Sequence, residues 1–207
     1  IPKQLVKNLK KTTFIFNTKV VDIKGNTIKI DTGASIQSHF TIIATEASPL
    51  ISNLKNQSTS WKSCNTLYFE MDHRKIKKPL IGLIAGQNTL INNVFYHTSL
   101  DTAVSTKKEL LSVTVVNNKN LSNETLIKEV QKELKQHCKI DSCKFIKQYY
   151  IPMALPNLND IRYEMLPSET RLTETVCLAG DTQLNGSLNA AMIAGERAAL
   201  EVIAALK

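Results

Sequence analysis

The chain has 207 residues, of which 43% are hydrophobic and 21% charged. This composition is typical of a globular protein of one large or two small domains, and no apolar run reaches the roughly 18 residues of a membrane helix. The net charge is +8, but only four of the 26 basic residues are Arg and the Lys residues are spread along the chain. We therefore expect no nucleic-acid partner.

The cysteines and the N-terminus indicate the cellular compartment that we expect. Four cysteines occur without a CxxC pair, so we expect no metal site, although Cys138 and Cys143 near His137 leave one conceivable. The N-terminus carries no recognisable secretory signal. We accordingly expect a cytoplasmic protein with reduced thiols, in which membrane association is not indicated.

The first 48 residues have α/β character. Residues 1–10 form a predicted amphipathic helix with Pro2 in its first turn. Residues 13–16, 19–23 and 27–31 are predicted strands, and the last two are separated by a turn at Gly25. Phe40–Thr45 is apolar on both faces, which is typical of a central strand in a parallel sheet covered on both sides.

Residues 49–172 are dominated by strands. Short connections predict antiparallel pairing between residues 66–70, 80–85, 93–97 and 110–116, and the apolar run Leu80–Ala85 is predicted to be a buried strand. A helix is predicted over residues 124–137, capped by Ser122 or Asn123. Its expected buried face comprises Leu126, Ile127, Val130 and Leu134. A strand follows at residues 144–150, and an irregular stretch punctuated by Pro152, Pro156 and Pro167 extends to about residue 173.

The end of the chain returns to α/β character. Val176–Ala179 is a predicted strand, followed by a loop and a helix over residues 187–206. Asp181 lies just beyond the carboxyl end of this strand, where open α/β sheets bind ligands and where a carboxylate can accept hydroxyl hydrogen bonds. The helix begins with free N–H donors and a partial positive charge, which favour an anion or an electron-rich carbonyl. Its small residues permit close approach of a ring but equally suit packing on a sheet.

The C-terminal segment resembles a known flavin signature. The quoted pieces are Ala179-Gly180-Asp181, Gly186-Ser187-Leu188, Gly195 and Ala198-Ala199. Together they resemble the C-terminal flavin-binding signature of the flavin amine oxidase and phytoene desaturase superfamily. Ile1-Pro2-Lys3-Gln4-Leu5, Phe16–Ile23 and Phe40–Thr45 resemble its I-P-x-x-L helix and two following strands. The resemblance implies FAD as the cofactor.

The resemblance also implies site residues. In that superfamily the acidic residue meets the ribityl chain or pyrophosphate, the helix start faces the isoalloxazine, and the residue matching Val20 meets the adenine. The implied cofactor-binding residues are Val20, Ala44, Thr45, Gly180, Asp181, Ser187, Leu188, Asn189, Ala190 and Ala191. Relatives often have Gly where Ala190 stands, so its methyl is expected to crowd the ring. The seven glycines form no G-x-G-x-x-G, so the resemblance implies a C-terminal portion whose Gly-rich segment is missing.

The predicted fold is α/β and α+β. We expect a partial FAD-binding, Rossmann-like domain over residues 1–48 and 173–207, with an inserted antiparallel-sheet substrate domain over residues 49–172. The implied activity is hydride transfer to FAD from a small-molecule substrate, isoprenoid-like in the first place and an amine in the second. No catalytic residue is identified, although His97 is the best acid–base candidate among the four histidines. The alternative is a non-catalytic interaction module with a basic surface.

Overall fold

The computed structural model describes residues 2–51, 59–86, 88–101, 107–117 and 119–207. The chain divides into two compact units, Ile1–Thr59 with Leu158–Lys207 and the continuous segment Ser60–Asn157. The sequence placed residues 49–59 and 158–172 with the middle domain, whereas both segments belong to the first unit. For residues 158–172 the reason is local, because Met165 packs against Leu184 and Ala194 of the C-terminal segment.

The first unit begins with a short helix and a small antiparallel sheet. Helix α1 (Pro2–Lys7) has no buried residue, and it is shorter than predicted because no apolar face packs to extend it. Strands β1 (Val20–Lys24), β2 (Thr27–Ile30) and β3 (Ser35–Gln37) pair in the order β1-β2-β3. The prediction of a strand over residues 13–16 is wrong, and the fully exposed β3 was not predicted. Strand β4 (Thr41–Ile43) follows.

The second unit is a five-stranded antiparallel sheet with one helix. Its strands are β5 (Trp61–Met71), β6 (Gly82–Leu83), β7 (Ile91–Tyr96), β8 (Glu109–Val115) and β9 (Lys144–Pro156), in the order β6-β7-β8-β5-β9. Helix α2 (Asn123–Cys138) is capped by Ser122, whose side chain accepts the Thr125 N–H. Leu126, Val130 and Leu134 of α2 are fully buried against alternating residues of β5 and β8. Helix and antiparallel pairing are as predicted.

Two predictions for this unit are wrong at the sheet edges. Leu80–Ala85 is not a buried strand: β6 has two residues, and Ile81 and Leu83 are 64% and 74% exposed. Strand β9 continues through Pro152, where an irregular stretch was expected, and ends at Pro156. Because β9 is an edge strand, a proline without an N–H can be accommodated without breaking an inner ladder. Periodicity alone does not reveal which strand lies at an edge.

The first unit is completed by the C-terminal strand and helix. Strand β10 (Val176–Leu178) is buried throughout and pairs in parallel with β4, with Ile42 opposite Cys177. Helix α3 (Leu188–Ala205) packs through Ala190, Ala194 and Ala198, all fully buried and one turn apart. The mixed α/β class with antiparallel sheets is therefore confirmed.

The predicted parallel pairing of the Phe40–Thr45 segment is present, but its predicted cover on both sides is not. Ile43 is 3% exposed, whereas its neighbour Ile42 is 40% exposed. The face of β4 that carries the Ile42 side chain is therefore partly open to solvent. None of the helices seen in those ranges combines the length and apolar character needed to cross a bilayer.

Candidate functional site

The site lies where β4 and β10 end. The two strands are parallel, so their carboxyl ends meet at one edge of the sheet, the edge at which open α/β sheets bind ligands. The Ala179 N–H donates to the Ile43 carbonyl at 2.8 Å. The residues that follow these two, Ala44 after β4 and Gly180 after β10, therefore begin neighbouring loops. These loops carry Thr45 and Asp181.

Gly180 makes a turn whose backbone conformation other residue types rarely adopt. Its φ of 130° lies in a region that L-residues rarely adopt, and it leads from β10 into a 3₁₀ turn over Asp181–Gln183. A side chain at Gly180 would meet little, since a Cβ added there would lie 3.9 Å from its nearest neighbour, the Thr182 hydroxyl. The backbone conformation, and not lack of space, is thus what requires glycine here.

Asp181 offers a carboxylate that has no partner among the described residues. Its backbone carbonyl accepts the N–H groups of Leu184 at 3.2 Å and Gly186 at 3.0 Å, which closes the loop. Its side chain is half-buried. No hydrogen bond or ion pair to the carboxylate occurs within the described part of the chain. The carboxylate is therefore free to accept hydrogen bonds from a ligand.

The N-terminus of α3 is partly capped and partly open. The Ser187 hydroxyl accepts the Ala190 N–H at 3.1 Å, and the Ser187 carbonyl accepts the Ala191 N–H at 3.0 Å. Leu188 and Asn189 are exposed, and their N–H groups meet no acceptor among the residues described. Two donors at the positive end of the helix dipole are thus available to an electron-rich group.

Ala190 differs from the sequence expectation. Its side chain is fully buried and packs with Leu184 and Met165 in the core of the first unit. The methyl group therefore points into the protein, and crowding of a ring by this methyl is not the arrangement observed. Ala191 is half-buried beside it.

A cavity of about 540 Å³ adjoins β4 in the same unit. Of the predicted cofactor residues, Val20, Ala44 and Thr45 line it, and the C-terminal group from Gly180 to Ala191 does not. Its full lining is Lys19, Val20, Ile23, Ile28, Thr41, Ile42, Ile43, Ala44, Thr45, Glu46, Pro49 and Leu50. The predicted residues thus form two groups, one in this cavity and one at the start of α3.

The sequence prediction missed part of this cavity wall. Ile23 and Ile28 come from the antiparallel sheet, and the loop ending at Leu50 is fixed by the Ile23 N–H, which donates to the Leu50 carbonyl at 2.8 Å. The alternation of Ile28, Lys29 and Ile30 along β2 is the local signal that could have placed Ile28 in this wall. Nothing in the sequence indicated that the loop returns to β1.

His97 lies in the second unit and is held in place. Its Nε2 is 3.0 Å from the Ser112 hydroxyl, which in turn donates to the Phe95 carbonyl at 3.3 Å. The imidazole also contacts the rings of Phe95 and Tyr68, with centroids 5.2 and 5.8 Å away. A fixed, half-buried imidazole is compatible with acid–base chemistry but also with a purely structural role. Its candidacy stays a prediction.

Three of the four cysteines are poorly reactive. All four are free thiols, and burial raises the pKa of the Cys138, Cys143 and Cys177 thiols. These three therefore remain protonated and poorly nucleophilic near neutral pH. Over the described ranges, no group of three His, Cys, Asp or Glu side chains is placed to bind a metal ion.

Comparison with known proteins finds structural relatives only. No protein-family model and no curated sequence matches the chain. A double mutant of putrescine oxidase superposes with a TM-score of 0.66 at 14% identity, covering 98% of this chain and 51% of that protein. An oxidoreductase from Methanosarcina mazei gives a TM-score of 0.62 at 13% identity, covering 88% and 48%.

The chain has the fold of these proteins. Reduced UDP-galactopyranose mutase matches more distantly, with a TM-score of 0.54 at 13% identity, covering 71% of this chain and 37% of that one. Similarity at this identity establishes the fold and leaves the activity open. The chain spans about half the length of the first two structures.

Proposed function

We propose that this chain is the C-terminal portion of an FAD-dependent oxidoreductase of the flavin amine oxidase and phytoene desaturase type. One observation carries the proposal. The parallel pair β4–β10 delivers Asp181, whose carboxylate has no partner in the described ranges, and the open N-terminus of α3 to one end of the same unit. The residues that resemble a flavin-binding signature lie at this end, and an oxidase and an oxidoreductase share the fold.

The residues present fit two parts of FAD. The Asp181 carboxylate would accept hydrogen bonds from ribityl or ribose hydroxyls, since no protein donor in the described ranges engages it. The Leu188 and Asn189 N–H groups would donate to the pyrimidine edge of the ring. Val20, Ala44 and Thr45, which line the cavity beside β4, would contact the adenosine half. When bound, FAD would supply the hydride acceptor, and these residues would hold and orient it.

The pyrophosphate of FAD would need a binding segment that these residues do not provide. The seven glycines of the sequence contain no G-x-G-x-x-G cradle. We propose that a Gly-rich segment elsewhere in the same protein supplies it, and that the 207-residue piece alone is inactive. The second unit, Ser60–Asn157, would bind the substrate.

The substrate class rests on family analogy. An apolar, isoprenoid-like molecule is our first proposal and an amine the second. The half-buried aromatic cluster around Tyr68, Phe95 and His97 is compatible with either, because ring faces contact apolar chains and attract cations. Oxidation of the substrate would leave two electrons and a proton on the cofactor for a later acceptor.

The test is the absorption spectrum of the intact protein. Protein translated from the complete reading frame should purify yellow, with flavin absorbance that denaturation releases as free FAD. Colourless intact protein that cannot be reconstituted with added FAD would instead favour a non-catalytic interaction module. Candidate isoprenoid and amine substrates added without oxygen should bleach the flavin band if they are oxidised.

A further inference from the structure

A row of side chains crosses the five-stranded sheet on the face opposite α2. Tyr68 of β5 lies opposite Ser112 of β8, and Ser112 lies opposite Phe95 of β7. The residues before and after each of these three are buried in the core that α2 covers. Because successive side chains of a strand point to opposite faces, Tyr68, Ser112 and Phe95 lie together on the other face.

Two further rings extend this row. The His97 imidazole is edge-on to the Phe95 ring, with centroids 5.2 Å apart and planes at 87°, and it contacts the Tyr68 ring at 5.8 Å. The Tyr149 ring of β9 meets the ring of Tyr68 at 5.9 Å and 90°, and Tyr149 is 49% exposed. The face therefore presents four rings, with the buried hydroxyl of Ser112 among them.

The hydrogen bonds of Ser112 fix where the neutral His97 imidazole carries its hydrogen. The Ser112 hydroxyl has one hydrogen, and the Phe95 carbonyl, 3.3 Å away, can only accept it. The hydroxyl oxygen then accepts from His97 Nε2, 3.0 Å away, so the ring hydrogen is on Nε2. Nδ1 is left as an acceptor, and it has no hydrogen-bond partner among the described residues. On a half-buried ring, such an acceptor is available to a ligand.

An acceptor nitrogen among aromatic rings restricts the ligand that fits. The rings offer apolar contact, whereas Nδ1 gains a hydrogen bond only from a ligand that carries an O–H or N–H group. A pure hydrocarbon would displace water from Nδ1 without replacing its hydrogen bond, which weakens binding. The face thus favours a molecule that is mostly apolar and has one hydroxyl or ammonium group.

We propose that His97 determines substrate specificity through Nδ1, which accepts a hydrogen bond from a hydroxyl or ammonium group at one end of an apolar molecule. The inference deepens the proposed function, and rests on it in taking the second unit to bind the substrate. Ser112 holds the imidazole in one tautomer, and Phe95 and Tyr68 hold its orientation. This role needs no proton transfer, and so differs from the acid–base role for which the sequence makes His97 a candidate.

Binding of three matched probes to the intact protein tests the proposal. Farnesol, farnesylamine and farnesene share one apolar chain, and only the first two carry a hydrogen-bond donor. Isothermal titration calorimetry should give a Kd about 2- to 12-fold lower for one or both of the donor probes than for farnesene. A preference for only one of them identifies the donor as hydroxyl or ammonium. Equal affinities for all three would overturn the proposal.

Variants separate the effect of Nδ1 from that of the ring shape. His97→Phe keeps a ring without an acceptor, and should bind farnesene at least as well while losing the preference for the donor probes. His97→Asn keeps an acceptor atom bonded to Cγ, as Nδ1 is, and should restore part of that preference. His137→Phe, at an exposed position near the end of α2, is the control and should keep the full preference. A preference that survives in His97→Phe would overturn the proposal.

The tautomer can be measured without a folded variant at His97 and without bound flavin. Nitrogen NMR of the intact protein labelled at histidine should show the neutral His97 ring with its hydrogen on Nε2, and a donor probe should shift the Nδ1 signal. A hydrogen on Nδ1 instead would overturn the proposal. Flavin absorbance is recorded on the same sample. A shifted Nδ1 signal in protein that holds no FAD even after reconstitution would refute the proposed function alone, and bound flavin with no shift by either donor probe would refute this inference alone.

Discussion

At the scale of single residues, Asp181 is the side chain on which the proposed cofactor binding depends most. It is half-buried, stands at the carboxyl end of β10 and has no partner among the described residues. Sequence reasoning could find it because a strand followed by Gly-Asp marks a specific place in a sheet. The Gly180 φ of 130° explains why glycine precedes it.

Replacing Asp181 tests its role. In the intact protein, Asp181→Ala should weaken FAD binding by about 1–3 kcal/mol, because a charged hydrogen-bond acceptor is lost. This corresponds to a rise of about 5- to 150-fold in Kd, measured by flavin fluorescence titration. Asp31→Ala, in an exposed turn of the same unit, is the control and should bind FAD normally. An unchanged Kd for Asp181→Ala would remove Asp181 from the site.

Glu169 should make the first unit sensitive to acid. The Leu166 N–H and the Arg162 guanidinium hydrogen-bond its carboxylate and hold its pKa below the usual 4.5. Because the pKa of Glu169 is lower in the folded protein than in the unfolded chain, its carboxylate stabilises the fold fully above the unfolded-state pKa. This stabilisation is lost as the pH falls through the folded-state pKa. Urea midpoints of wild type and Glu169→Gln should thus differ at pH 7 and converge below pH 4.5. A constant difference across this range would contradict the assignment; exposed Glu174→Gln is the control.

At the scale of elements, α3 matters through its first turn. The Ser187 hydroxyl caps the helix by accepting the Ala190 N–H, just as Ser122 caps α2. Ser187→Ala and Ser122→Ala should each cost about 0.5–2 kcal/mol of unfolding free energy. Only Ser187→Ala should also weaken FAD binding, since only that helix start is proposed to face the flavin. Equal FAD affinity in both variants, measured by titration, would contradict this role.

The elements also show what sequence can predict. Helices α2 and α3 and strand β10 were predictable because periodicity, a capping serine and a buried apolar run agree locally. The edge strands of the five-stranded sheet were not predictable. The apolar sequence around β6 is typical of a core strand although Leu83 is exposed, and β9 passes through Pro152 because it lies at an edge. Edge position is set by distant strands. The same holds for the candidate site. Asp181 is marked by its local sequence, whereas nothing local indicates that the loop ending at Leu50 returns to Ile23.

At the scale of the whole molecule, the two units have separate cores. The core of Ser60–Asn157 is centred on α2, where Leu126 is fully buried. Leu126→Ala should therefore destabilise this unit by about 2–5 kcal/mol, whereas Ile127→Ala, at a half-buried neighbour, should cost clearly less. Urea unfolding followed by circular dichroism measures both. Equal costs would show that α2 does not pack as described.

Above all, we propose that one end of the first unit, where β4 and β10 finish and α3 starts, receives a flavin. The most direct measurement is a crystal structure of the intact protein grown with FAD. We expect density for the isoalloxazine against the N–H groups of Leu188 and Asn189, with the ribityl or ribose hydroxyls at Asp181. Neighbouring protein side chains filling that space, with FAD bound elsewhere or not at all, would contradict the claim.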